Sequence, residues 1–146
     1  QHHGPSFDAT KLDNLTLGLA RHAGRNLLHQ PAAIAALRAS RRLAARHHAE
    51  YDVTLTPTLA VETPRVGHLR ADQDYEVIMD RLMEWVAFTP LQNATVEPAV
   101  SLPLATTANG LPHGMMLGSG WGREARLLEL AYELEEAVGW PRIQDA

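Results

Sequence analysis

The stretch from Pro98 to Gly118 limits the possible folds more than any other part of this chain. Ala99-Val100-Ser101-Leu102 is a short apolar run bounded by Pro98 and Pro103, and Gly114-Met115-Met116-Leu117-Gly118 is a second. Between them lies Asn109-Gly110, residues that tolerate the left-handed backbone of a tight reversal. The pattern predicts two antiparallel neighbouring strands, joined by a loop that can exceed two residues. A helix is predicted next, over about Arg123 to Val138. Leu127, Leu130, Ala131, Leu134 and Val138 form its buried stripe, while Glu129, Glu133 and Glu136 face outward. Gly139 and Pro141 end it in the expected order.

Upstream, a first periodic stretch runs from about Asp8 to about Arg25, with Leu12, Leu15, Leu19 and Ala23 at helical spacing and Gly18 and Gly24 weakening it. Pro31 suits the first turn of a second helix reaching about Glu50. Ala33, Leu37, Ser40, Ala44 and His47 share its inner side, flanked by Ile34 and Leu43, and Arg38, Arg42 and Arg46 lie opposite. Tyr51 to Thr56 reads as a short strand ended by Pro57. Residues 60–71 carry Pro64 and Gly67 and read as an excursion loop. Asp72 or Asp74 can cap a third helix, with Ile78, Met79, Leu82, Met83, Trp85 and Val86 at core spacing, which stops before Pro90. The fold class is therefore α/β, with mixed sheet strands and covering helices. The strands are few and strongly apolar, which suits one side of a larger sheet better than a complete one.

Composition removes several classes of function. With 21% charged and 45% hydrophobic residues the chain of 146 residues is globular, and its net charge of −4 argues against a dedicated nucleic-acid binder. No cysteine is present, which excludes disulfides and thiolate metal sites. No apolar run is long enough to span a membrane and no signal-peptide pattern opens the chain, so a cytoplasmic protein without membrane partners is expected. Ala and Arg are abundant beside the single Lys11, which suggests a GC-rich bacterial source. The opening Gln1-His2-His3 reads equally as native loop or as the remnant of a tag.

No self-sufficient catalytic set emerges from residue chemistry. A nucleophile needs a base in reach and donors for the oxyanion. Ser6, Ser40, Ser101 and Ser119 lack the Gly-flanked elbow of a nucleophilic serine, and Gly118-Ser119-Gly120 reads as a Gly-rich strand end. Lys11 reads as a solvated side chain. The eight histidines invite a metal reading. However, His47 and His48 are adjacent and point apart on a helix, and one continuous helix through His22 and His29 conflicts with Gly24 and Pro31. No metal or other cofactor is expected. Asp72 and Asp74 read as caps, and Glu133, Glu135 and Glu136 as an exposed acidic end.

Three ordered blocks resemble the amidase-signature enzymes. Tyr51-Asp52-Val53-Thr54-Leu55-Thr56-Pro57-Thr58 is similar to one family strand. Phe88-Thr89-Pro90-Leu91-Gln92-Asn93 with Pro98-Ala99-Val100-Ser101-Leu102-Pro103 is similar to a second block. Gly110-Leu111-Pro112-His113-Gly114-Met115-Met116-Leu117-Gly118, followed by Glu124 to Glu135, is similar to a third. The resemblance covers about Leu12 to Trp140 and is nearest the bacterial amidases related to 6-aminohexanoate cyclic dimer hydrolase. It implies that residues 1–146 are the C-terminal part of a single amidase-signature domain. The family's two serines, its lysine base and its oxyanion segment lie in the N-terminal portion, so none is carried over to Lys11 or Ser119 and no catalytic residue is expected here. The resemblance further implies a small-molecule amide substrate for the whole enzyme, and a pocket wall built from Trp85, Val86, Phe88 and Thr89, with Gln92 and Asn93 behind. Those four residues read equally as closing the core.

Two departures from the family pattern carry information. Relatives that bind an aminoacyl ammonium tend to have an acidic residue two positions before the Phe-Thr pair, where this chain has Val86; an ammonium beside valine would lose its hydration unreplaced, so an apolar or aryl acyl group is expected. At Val96-Glu97 the family usually has Gly first, and its loss puts the local loop shape in doubt. Two other classes of function stay open at this point: a non-enzymatic binding or oligomerisation module that kept part of the amidase fold, and a metal-dependent hydrolase built on histidines. A cut sheet exposes an edge and an apolar face, so self-association or pairing with the N-terminal portion is expected.

Overall fold

The computed structural model describes residues 8–140. Gln1-His2-His3, Ser6 and Pro141 lie outside the described residues. Five α-helices and three strands follow in the order α1 (Asn14–Arg25), α2 (Gln30–Glu50), β1 (Val53–Pro57), α3 (Tyr75–Trp85), α4 (Pro90–Thr95), β2 (Ala99–Thr106), β3 (Pro112–Ser119) and α5 (Glu124–Val138). The strands form one sheet in the order β1-β3-β2, and both pairings are antiparallel, so this sheet is α/β in setting but not itself mixed.

The predicted hairpin is β2–β3. Its turn is a five-residue loop, 107–111, because Thr107 accepts the Gly110 N–H through its carbonyl and donates its own N–H to Leu111, which leaves Gly110 at φ 80°. Asn109 reaches out of the turn and donates to Glu62 Oε2 at 2.8 Å. β2 does not stop at Pro103. It continues to Thr106 through a bulge between Leu102 and Ala105, which accommodates the missing proline donor.

Strand alternation gives the sheet two unlike faces. Val53, Val100, Leu102 and Leu117 point to one side, where Leu127, Leu130, Ala131 and Leu134 of α5 cover them. Leu102, Leu117 and Leu127 are buried at the centre of this core. Val138, expected in the same stripe, is exposed at the last residue of α5, while Trp140 beyond it packs against the core. The other face carries the small and hydroxyl residues Thr54, Thr56, Thr58, Ser101, Gly114 and Gly118 around the buried Met116, as the register dictates. α4 sits close to it, since a Cβ on Gly118 would lie 3.1 Å from Gln92 Nε2.

The first periodic stretch divides. A 3-10 turn at Ala9–Lys11 precedes α1, and Asp13 caps α1 by accepting from the Thr16 N–H at 2.7 Å. That backbone hydrogen bond holds the Asp13 carboxyl below the usual range, and the Thr10 hydroxyl and N–H do the same to Asp8. Gly18 is buried against Tyr75 at the start of α3, which explains its place inside a helix. Asp74 occupies the N-cap position of α3 without a side-chain cap bond, and Asp72 pairs instead with Arg70. α4 was not apparent from the sequence: its six residues are too few to show a period.

The inner side expected for α2 is only partly covered. Ser40 and Ala44 are half-buried, but Ala33 and His47 are exposed, Ile34, Leu37 and Leu43 are 49%, 49% and 67% exposed, and the buried histidine is His48, not the expected His47. The apolar stripe exists, and among the described residues nothing packs over its first half.

Candidate functional site

The four residues expected to form a pocket wall lie on one corner. Trp85 ends α3, and Val86 follows as its C-cap with its N–H on Leu82 O at 2.9 Å. Phe88 accepts from the Leu91 N–H, Thr89 is the N-cap of α4, and Pro90 opens that helix where no donor is needed. Trp85, Val86, Phe88 and Thr89 are all half-buried. The Trp85 carbonyl accepts from Ala60, which ties this corner to the segment leaving β1. Gln92 is half-buried behind the corner, whereas Asn93 is exposed.

Three buried polar atoms in this layer have no hydrogen-bond partner among the described residues: Thr56 Oγ1, Trp85 Nε1 and Gln92 Oε1. An unpaired buried donor or acceptor costs about 1–3 kcal/mol. The group of three marks the hydroxyl face of the sheet and the α3–α4 corner as a surface with unmet hydrogen-bonding capacity.

A cleft of about 550 Å³ opens beside that corner. Leu43, Ala44 and His47 of α2, Thr54 of β1, and Leu91 and Gln92 of α4 line it. None of Trp85, Val86, Phe88 and Thr89 does, so Leu91 and Gln92 link corner and cleft. His47 and Thr54 are new to the site, and their Nε2 and Oγ1 lie 2.9 Å apart. No sequence motif marks them, because they are brought together only when β1 folds back along the end of α2.

His47 and His48 do point apart. His48 is buried, with Nδ1 3.2 Å from Tyr51 O and Nε2 3.9 Å from the buried Glu97 Oε1. Glu97 Oε2 accepts from the Thr95 hydroxyl at 2.8 Å. Between them Val96 adopts φ 62°, ψ 35°, the left-handed conformation that glycine usually supplies. The missing glycine therefore leaves the turn shape intact and puts the strain on valine. Among the described residues no group of three or more His, Asp or Glu could hold a metal ion.

The described serines are committed to structure. Ser119 is fully buried at the end of β3 and donates to Asp52 O at 2.7 Å. Ser101 and Thr58 share a 2.5 Å hydroxyl pair across Gly114, and Ser40 donates to Leu37 O. Lys11 is exposed and pairs with Asp8.

The amidase family profile matches residues 5–128, most of the chain. The chain belongs to the amidase family. A putative amidase AmiC from Mycobacterium leprae (strain TN) is 62% identical over 141 residues, covering 97% of this chain and 30% of that protein. The 6-aminohexanoate-cyclic-dimer hydrolase of Pseudomonas sp. (strain NK87) is 31% identical over 98 residues, 63% of this chain and 20% of that one. A solved structure of 6-aminohexanoate cyclic dimer hydrolase superimposes with a TM-score of 0.77 at 25% identity, over 92% of this chain and 29% of its own. This chain thus spans about 30% of the length of the curated AmiC relatives it matches. The sheet and helices are part of the amidase-signature fold. No helix among the described residues is long and apolar enough to cross a membrane.

Proposed function

We propose that this chain is the C-terminal segment of a serine-dependent amidase that hydrolyses carboxylic amide C–N bonds. The observation that carries the reading is the amidase match over residues 5–128 in a chain spanning 30% of a 62%-identical relative. The segment acts as scaffold. The hydrogen bonds of its described serines are spent on backbone carbonyls and on Thr58, and its lysine on Asp8. Activation of a serine requires a base within hydrogen-bond reach, so the segment alone is inactive.

In the complete enzyme the α3–α4 corner forms one wall of the acyl pocket. Trp85, Val86 and Phe88 give it an apolar surface, and the unpaired Trp85 Nε1 is the polar group best placed to seek an acceptor. Val86 offers no counter-charge, which favours apolar or aryl acyl groups over ammonium-bearing ones.

Turnover of simple aryl amides tests the first part. The purified chain is expected to show no rate above buffer, and a rate abolished by Ser119→Ala would overturn the scaffold reading. The pocket is tested in the enzyme completed with the rest of the fold: Val86→Asp is expected to shift preference at least about tenfold toward acyl groups carrying an ammonium. An unchanged preference would remove Val86 from the pocket.

A further inference from the structure

We propose that His48 and Glu97 form a proton-operated latch. With a proton on His48 Nε2 it fastens the end of α2 to the turn that closes α4, and without that proton it lets go.

The other atom of each partner is already committed. His48 Nδ1 lies 3.2 Å from the Tyr51 carbonyl, which can only accept, so Nδ1 carries a hydrogen. The remaining ring nitrogen, Nε2, faces Glu97 Oε1 at 3.9 Å, and in the neutral ring it presents a lone pair. Glu97 Oε2 accepts from the Thr95 hydroxyl at 2.8 Å, as an ionised carboxylate does, and that hydroxyl also reaches Leu91 O at 3.0 Å. A lone pair facing a carboxylate gains nothing, whereas a protonated Nε2 facing it is an ion pair. Both side chains are 7% exposed, so solvent screens the difference little. The proton comes from water and returns to it through the cleft, which His48 and Glu97 both line.

The latch has a strained turn to hold. Val96, between Thr95 and Glu97, sits at φ 62°, a conformation that a β-branched residue keeps only where its neighbours enforce it. The Val96 and Glu97 N–H groups both reach Gln92 O, at 2.8 and 3.3 Å, and close the last turn of α4. Behind the ring the structure is fixed. A Cβ on Gly120 would lie 3.1 Å from His48 Cβ, and the Ser119 N–H donates to Pro98 O. Release therefore falls on the turn and on α4, not on the sheet.

The other charged and titratable groups around the pair have different partners. His47 meets the His48 ring edge-on with centroids 5.1 Å apart, but its Nε2 is on Thr54 Oγ1, and the Tyr51 ring packs on His47. Arg46 and Glu50 of α2 line the same cleft and form no ion pair with either residue. Arg41 donates to Ala94 O on α4, and Arg123, beyond Gly120, is held by Asp52 at 3.2 Å. From α4 and β1 the cleft receives only the neutral Leu91, Gln92 and Thr54. The fastening is thus present while Nε2 is protonated and is lost as pH rises.

Nuclear magnetic resonance of the purified chain from about pH 5 to about pH 9, which brackets the range in which histidine changes charge, provides the test. Ring-nitrogen shifts are expected to show both His48 nitrogens protonated at the acid end and Nδ1 alone at the alkaline end. Hydrogen exchange of the Val96 and Glu97 amides, corrected for the intrinsic effect of pH, is expected to speed at least about tenfold across the same step. Glu97→Gln keeps the size and the acceptor for Thr95 but not the charge, and should abolish that step. His48→Asn keeps a donor for Tyr51 O without a group to titrate, and gives the same result should Glu97→Gln fold poorly. His47→Gln should leave the step in place. A neutral His48 protonated on Nε2, exchange without a pH step, or a step that survives Glu97→Gln or His48→Asn would each overturn the proposal.

Discussion

Gly18 and Gly24 occupy one helix, and the structure assigns opposite signs to the same substitution at the two positions. A Cβ on Gly18 would lie 2.1 Å from Tyr75 Cδ2 and 2.7 Å from Tyr75 Cβ. The second contact is close to the α3 backbone, so rotation of the ring alone does not relieve it. Alanine in a helix is favoured over glycine by about 1 kcal/mol. Overpacking of this kind costs about 1–3 kcal/mol, and a contact this short belongs at the upper end. Gly18→Ala is therefore expected to destabilise by about 1–2 kcal/mol net. Gly24 has nothing within 4 Å of a Cβ. Gly24→Ala is expected to stabilise by about 0.5 kcal/mol, less than the full propensity because it lies in the last turn. Urea unfolding followed by helical circular dichroism reads both, and Tyr75→Ala added to Gly18→Ala should recover most of the loss. Equal signs for the two single variants would refute the α1–α3 packing. That packing sets the axis of α3, and α3 carries Trp85 at its far end.

Other outcomes follow from single contacts. Ser119→Ala leaves Asp52 O without its buried donor and should cost about 1–2 kcal/mol in denaturant unfolding. Val96→Gly removes a valine from φ 62°; relief of about 1–2 kcal/mol outweighs the added freedom of the unfolded chain, so the unfolding midpoint should rise slightly. A fall in the midpoint would mean that the half-exposed valine packs better than its geometry implies. Asp13 has a depressed folded pKa through its bond from Thr16, so its stabilisation of α1 is present above the ordinary aspartate range and is lost as pH falls through the folded value. Asp13→Ala should flatten that acid-side loss of helicity, measured by circular dichroism against pH; an unchanged profile would discount the cap.

Local chemistry was enough for most of the elements, though not for the six-residue α4. Asn109-Gly110 between apolar runs gave the hairpin, Pro31 the start of α2, and Gly139 the end of α5, because turns and caps depend on residues adjacent in the chain. The corner of Trp85, Val86, Phe88 and Thr89 was legible as a position, since it is one short stretch between two helices. The relation of Thr54 to His47, of Gly118 to Gln92 and of His48 to Glu97 was not, because each joins residues whose approach depends on sheet register and helix packing.

The limits of the sequence show most clearly on α2. Its period identified an inner side at Ala33, Leu37, Ser40, Ala44 and His47 flanked by Ile34 and Leu43, because spacing along one helix is a local property. Whether that side is covered depends on what else packs there, and the described residues leave it open. The same division holds for β1. Its composition specified a strand, but only the sheet order made it an edge, and only the Thr58–Gly114 hydrogen bond decided which of its backbone groups face outward.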